Sequence, residues 1–258
     1  LETKIALLAA LDHLTPLQQD NIDELSGDLA DCKTNLLHYR SHLILKAVES
    51  KADDNMLLSM KDDEITITCD WKMKILPMFF RENMQAFFGK RGTSCIGFML
   101  VSNSNSPDMK NVRFHFFLTD DTTQDAFSVL TAKYILYANL LPEHINKVHY
   151  KSDGAGCFSS NTSKAVMPLW EIWTGVKEKT YRVSVSGGGK STLDGLFGKL
   201  SFVLKRVANK GGNFFDAKTI AEAVDSDGGI NACSFHVYVP VRNNDWTTKV
   251  DFLKQYTK

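Results

Sequence analysis

The feature that most constrains this chain is the order in which its hydrophobic periodicity switches between strand-like and helix-like after residue 64. Apolar runs bounded by turn residues predict strands at 64–71, 95–103 and 112–119, the last two joined by the turn-rich Asn103-Ser-Asn-Ser-Pro-Asp. A helix is expected over 124–141, ending before Pro142, then a strand over 145–152 and a helix over 160–174 that stops near Gly175. The fifth strand is Tyr181-Arg-Val-Ser-Val-Ser, followed by a helix over 191–209 that Gly211-Gly212 closes. A further helix over 216–225 and a strand over 232–240 extend the chain at its C-terminal side. The core order β-β-β-α-β-α-β-α predicts an α/β domain: an antiparallel meander continued by crossovers, giving a mixed five-stranded sheet flanked by helices.

Ahead of this domain, residues 3–13 and 16–52 read as helical. Leu25, Leu29, Leu36, Leu37, Leu43, Ile44 and Val48 recur there at spacings of three, four and seven. Thr15 before Pro16 is a good cap followed by proline at the first helical position. The expected organisation is a helical arm over 1–62 and an α/β domain over 63–258. The formal net charge of zero hides an asymmetry, because residues 1–64 hold 13 acids and 6 Lys or Arg, a balance of −7. The remainder carries about +7, which fits a polyanionic partner for the body. The acidic arm is expected to pack on the body or on another copy of the chain, as a homo-oligomer would require.

Five cysteines without a C-x-x-C pair or a dense framework point to a reducing, intracellular compartment. No apolar run reaches 18 residues, so no membrane span is expected. The chain starts with a helix already under way and is read as a fragment of a longer protein.

Three acids stand at strand ends or a helix start in far-apart segments: Asp70 in Glu64-Ile-Thr-Ile-Thr-Cys-Asp-Trp, Asp153 in Val148-His-Tyr-Lys-Ser-Asp-Gly, and Asp194 in Gly189-Lys-Ser-Thr-Leu-Asp-Gly. Taken singly, each is a turn or cap residue. Taken with the element order, the three can converge on a pair of divalent cations that clamp the attacking and leaving oxygens of a phosphodiester. All-carboxylate ligation suits Mg²⁺, or Mn²⁺, two ions in all.

Over residues 64–210 the chain resembles the catalytic domains of DDE/DDD-type transposases and integrases, of the ribonuclease-H-like superfamily. Those domains place one Asp on the first strand, a second just past the fourth, and a third acid on the helix after the fifth. Asp70, Asp153 and Asp194 fall on those positions, and Asp194 follows Asp153 by 41 residues. Ser152-Asp-Gly-Ala-Gly-Cys-Phe-Ser-Ser is similar to the Ser/Thr-Asp-Asn-Gly-x-x-Phe-x-Ser pattern of retroviral integrases. Trp71-Lys-Met-Lys-Ile-Leu-Pro, Phe88-Gly-Lys-Arg-Gly and the Gly-Lys-x-x-x-Asp-Gly segment resemble transposon-derived proteins of eukaryotic genomes. The chain departs from the commonest pattern in having Asp rather than Glu third and Gly154 where integrases have Asn. The resemblance implies a ribonuclease-H-like fold, Asp70, Asp153 and Asp194 as catalytic metal ligands, DNA as partner and nuclear localisation. The activity implied is phosphodiester hydrolysis or strand transfer. A domesticated protein that kept the fold and lost the chemistry is the alternative.

Lys72, Lys74, Arg81, Lys90 and Arg91, interleaved with Trp71, Phe79, Phe80, Phe87 and Phe88, form a candidate nucleic-acid surface, with Lys190 and Lys199 beyond them. Lysines hold phosphates without reading sequence, and aromatics stack on unpaired bases. The same aromatics can instead bury an insertion against the sheet. Ser186-Gly-Gly-Gly-Lys-Ser-Thr invites a second reading as a nucleotide-binding phosphate loop, but that motif needs Gly at 184, where Ser184 stands. His144 and His149 point to opposite faces of one strand, His115 reads as a hydrogen-bonded core residue, and Trp170 and Trp173 read as core.

Overall fold

The computed structural model describes residues 2–10, 13–82, 89–104, 109–184 and 192–242. It divides into two compact units, residues 1–55 and 56–258. The first holds α1 (Glu2–Ala9) and most of α2 (Pro16–Ser59), whose start is capped by Thr15: the Gln18 amide donates to its hydroxyl at 3.3 Å. Ile22 is buried, whereas Leu36, Leu37, Leu43, Ile44 and Val48 are exposed. Among the described residues, no helix is long and apolar enough to cross a membrane.

The second unit is built on a six-stranded mixed sheet. Its strands are β1 (Glu64–Ile75), β2 (Thr93–Asn103), β3 (Lys110–Thr119), β4 (Lys147–Ser152), β5 (Lys177–Val183) and β6 (Cys233–Val237), in the order β5-β4-β1-β2-β3-β6. β1, β2 and β3 form the expected antiparallel meander, and β4 and β5 join parallel to β1 and to each other in turn. The expectation of five strands is corrected by β6, which docks parallel to β3 and carries the sheet one strand further. His115 and His236 seal that junction, with Nδ1 of the first 3.0 Å from Nε2 of the second and the rings stacked.

Alternation along β1 assigns the two faces. Ile65, Ile67 and Cys69 point into one core, with Phe98, Phe117, Tyr150 and Trp170. That layer is closed by α3 (Ala126–Ile135), which continues as a π-turn at Leu136–Leu140, and by short helices α4 (Gly156–Ser159), α5 (Asn161–Val166) and α6 (Trp170–Thr174). The opposite core joins Cys95, Phe116 and Leu118 to α7 (Thr192–Asn209) and α8 (Ala217–Ser226). Caps explain where helices begin and end. Asp125 accepts from the Ser128 amide ahead of α3, Asp216 and Thr219 form a capping box on α8, and Gly175 takes the left-handed conformation at φ 74° after α6.

The predicted helix over 160–174 is broken into pieces, because Ser160 caps a new turn and Pro168 imposes a 3-10 segment at Met167–Leu169. β5 begins at Lys177, four residues earlier than expected.

Candidate active site

The parallel pairing of β1 with β4 ends with Cys69 opposite Ser152, so Asp70, in the middle of β1, and Asp153, the first residue past β4, come side by side where β4 leaves the sheet. The expected strand end at Asp70 is corrected, because β1 runs on to Ile75 paired with β2; the carboxyl end of β4 is the kind of place where open α/β sheets put their ligands. The third acid arrives on a helix. Asp70 lies opposite Gly97 of β2, and α7 packs on this face so closely that a Cβ at 97 would stand 2.9 Å from both Leu193 Cδ1 and Phe197 Cε1. The missing side chain at 97 thus lets the first turns of α7, including Asp194, settle over the middle of β1, where Gly97 pairs with Asp70.

The electrostatics record the convergence. Burial pushes the half-buried Asp70 carboxyl up to about 6, and the charges of Asp153 and Asp194 add to the rise against a lowering hydrogen bond from the Trp71 amide. That amide donates to Asp70 Oδ1 at 2.7 Å, and the Ala155 amide donates to Asp153 Oδ1 at 3.0 Å, closing a turn. Asp194 sits in the first turn of α7, near the positive end of the helix dipole. Among the described residues, no group of three His, Cys, Asp or Glu side chains is arranged to hold a metal ion. The acids therefore sense one another's charge from wider separations than shared ligation needs.

The expected basic residues do not form one set. Lys72 and Lys74 follow Asp70 along β1 and, with Lys205 of α7, line a groove of about 150 Å³ between β1 and α7. Lys90 departs from its expected role: it is nearly buried, ion-paired with Glu82, and donates to the Pro77 carbonyl at 2.7 Å, so it is not offered to a phosphate. Arg81 and Arg91 are exposed, and the Arg81 guanidinium lies 5.2 Å from the centre of the Phe80 ring. Lys199 lies near Cys233 of β6, whose thiol burial pushes up to about 11 against the opposing charge of Lys199, on the far side of β2 and β3 from Asp70. Lys190, Phe87, Phe88 and the glycines of the alternative phosphate loop lie outside the described residues. β5, which leads into that loop, is an edge strand whose residues alternate between exposed and half-buried, unlike the buried central strand such loops follow.

Sequence reasoning missed a charged pair in the core beneath the site. Lys133 of α3 and Glu178 of β5 form an ion pair with side chains 3% and 0% exposed. The Lys133 ammonium lies 3.8 Å from the centre of the Tyr150 ring and within 5.2–5.5 Å of those of Tyr181, Trp170 and Tyr137. The Tyr137 hydroxyl donates to Glu178 at 2.6 Å. The box clamps β4 and β5 to α3, and so fixes the strand that carries Asp153. Lys133 and Glu178 are 45 residues apart, and no local pattern signals that they meet. Glu64 at the start of β1 is buried too, yet Lys179, the Lys61 amide and His149 hold it at about 2.

No model of a known protein family matches the chain, and no curated protein matches it either.

Proposed function

We propose that the second unit is a metal-dependent nuclease or strand transferase acting on DNA, built on a ribonuclease-H-like fold. The observation that carries the reading is the electrostatic coupling of Asp70, in the middle of β1, to Asp153 just past β4 and to Asp194 in the first turn of α7. The strand order β5-β4-β1-β2-β3 supports it, because it is the arrangement that such a fold uses, with β6 as an addition.

The donor chemistry fits hard divalent cations. Asp70 and Asp153 each spend one oxygen on a backbone amide and retain a second for ligation. A carboxylate raised by burial and further by its neighbours' charge gains from a cation that neutralises them. Mg²⁺ or Mn²⁺, once bound, would polarise the scissile phosphate and stabilise the charge on the departing oxygen. Asp70 and Asp153 would then hold the position where β4 ends beside β1, Asp194 would close it from α7, and Lys72 would neutralise the adjoining backbone.

A second reading is favoured by one observation: the three acids are not pre-gathered as a ligand set among the described residues. In that reading the fold binds DNA without cutting it. Titration calorimetry with Mn²⁺ and cleavage of a DNA duplex with Mg²⁺ separate the two. Bound metal with cleavage supports the nuclease, DNA binding without either supports the silent binder, and Asp70→Asn abolishes cleavage only in the first case.

A further inference from the structure

The groove between β1 and α7 joins two chemistries that a phosphate site alone would not combine. Its floor and walls are apolar, with Ile75, Leu204 and Phe214 all buried, while Lys72, Lys74 and Lys205 stand at its rim. None of the three ammonium groups is ion-paired to a carboxylate among the described residues. Phe214 is fixed by a two-way backbone bridge to Met78, at 2.9 and 3.0 Å, so the floor is preformed. Ser201 donates its hydroxyl to the Phe197 carbonyl at 3.0 Å, which leaves its oxygen as an acceptor at the wall.

The groove is also built on the two elements that carry Asp70 and Asp194. On α7, Asp194, Ser201 and Lys205 are spaced by seven and four and share one helix face. On β1, Lys72 points to the same face as Asp70, roughly 7 Å further along the strand. That step is close to the spacing of successive phosphates in an extended nucleic-acid strand.

We propose that this groove takes one unpaired pyrimidine base of a DNA strand, next to the phosphate presented to Asp70, Asp153 and Asp194, with Lys72, Lys74 and Lys205 on the flanking phosphates. The proposal rests on the nuclease reading for its choice of DNA. A free phosphate would leave the apolar floor unmatched, and a continuous duplex would touch the lysines without entering. A ring that carries a phosphate matches both. The volume selects the ring, since a cavity of about 150 Å³ lined by Leu, Ile and Phe accepts benzene. A single six-membered ring fits that space and a fused purine overfills it. Ser201 gives the ring an acceptor for its imino or amino N–H. The energetic logic is that of enzymes that pull a base out of its stack and hold it between apolar side chains.

The test uses the full chain in EDTA, so that binding is read apart from cleavage. Three 12-residue probes are compared by fluorescence anisotropy: a fully abasic strand, the same strand with one thymine, and the same strand with one adenine. The thymine probe should bind about tenfold or more tightly than the abasic one, and more tightly than the adenine probe. Ser201→Leu, which fills the groove from an only partly buried position, should erase the thymine preference and leave abasic affinity unchanged. Lys72→Gln with Lys205→Gln should weaken all three probes and lower the salt slope by about 0.7 per lost contact. Equal wild-type affinity for the thymine and abasic probes overturns the pocket while leaving DNA binding intact. Adenine binding as tightly as thymine overturns the single-ring assignment. Failure to bind any probe removes the pocket together with the nuclease reading, whereas a thymine preference without Mg²⁺-dependent cleavage keeps the pocket and removes only the nuclease.

Discussion

Asp70→Asn should make the protein more stable at neutral pH while abolishing cleavage. An ordinary aspartate titrates at 3.8, and burial with two neighbouring carboxylates pushes Asp70 up to about 6. At 1.36 kcal/mol per pH unit that difference corresponds to about 3 kcal/mol of strain in the ionised folded state. Asp70 is only half-buried, so solvent screening reduces this to about 1–2 kcal/mol. The sign follows from proton counting. Between about pH 4 and 6 the folded chain binds more protons at this position than the unfolded one, so stability falls as pH rises through that window and stays lowered above it. Asparagine keeps the acceptor for the Trp71 amide and carries no charge. Urea melts at pH 4 and pH 8 should show wild type and variant converging at the acid end, with the variant ahead by about 1–2 kcal/mol at pH 8. Mg²⁺ should reverse the ranking, since a ligand at a hundred times its Kd stabilises by about 2.7 kcal/mol and the variant lacks one carboxylate to hold it. Parallel stability curves for the two proteins from pH 5 to 8 would refute the acid cluster.

Asp153→Asn keeps an acceptor for the Ala155 amide, so the turn should survive while the Asp70 carboxyl titrates closer to the ordinary range, as followed by carbon-detected NMR. Gly97→Ala places a methyl 2.9 Å from Leu193 and Phe197 and should cost about 1–3 kcal/mol, with reduced cleavage although no carboxylate is altered. Unchanged melting and cleavage would show that this contact does not position α7. Lys133→Met leaves Glu178 as an uncompensated buried charge and should cost about 3–5 kcal/mol in chemical denaturation. Combining it with Glu178→Gln should recover much of that loss, and an equally unstable double variant would argue against charge as the cause.

Local periodicity made the meander, the crossovers and α7 legible, because each half of the sheet is fed by its own run of Val, Ile and Phe. β6 was readable as a strand but not as a member of the sheet. Its partner β3 lies more than a hundred residues upstream and runs parallel, so no hairpin turn announces the pairing. The start of β5 was hidden by Lys177-Glu-Lys-Thr, which reads as solvent-exposed until Lys133 is seen to take up Glu178. Asp153 and Asp194 stand at a strand end and a first helical turn as the periodicity predicts, whereas Asp70 lies mid-strand, because β1 continues to Ile75 through the alternating Lys72-Met-Lys-Ile. What the chain does with individual lysines could not, because Lys90 is claimed by Glu82 across a loop while Lys205 of α7, unremarked in the sequence, joins Lys72 at the groove.

The seating of α7 on Gly97 divides the acid cluster into parts of unequal permanence. Asp70 belongs to β1, hydrogen-bonded on both sides, and Asp153 leaves β4, which is likewise paired on both edges. Asp194 belongs to a helix, which can lift away in a local opening that leaves the sheet intact. Two carboxylates are thus held at the stability of the whole fold and one at the stability of a single layer. A cation that engages all three would tie that layer down, so that slowed amide exchange along α7 would report occupancy of the site before any chemistry occurred.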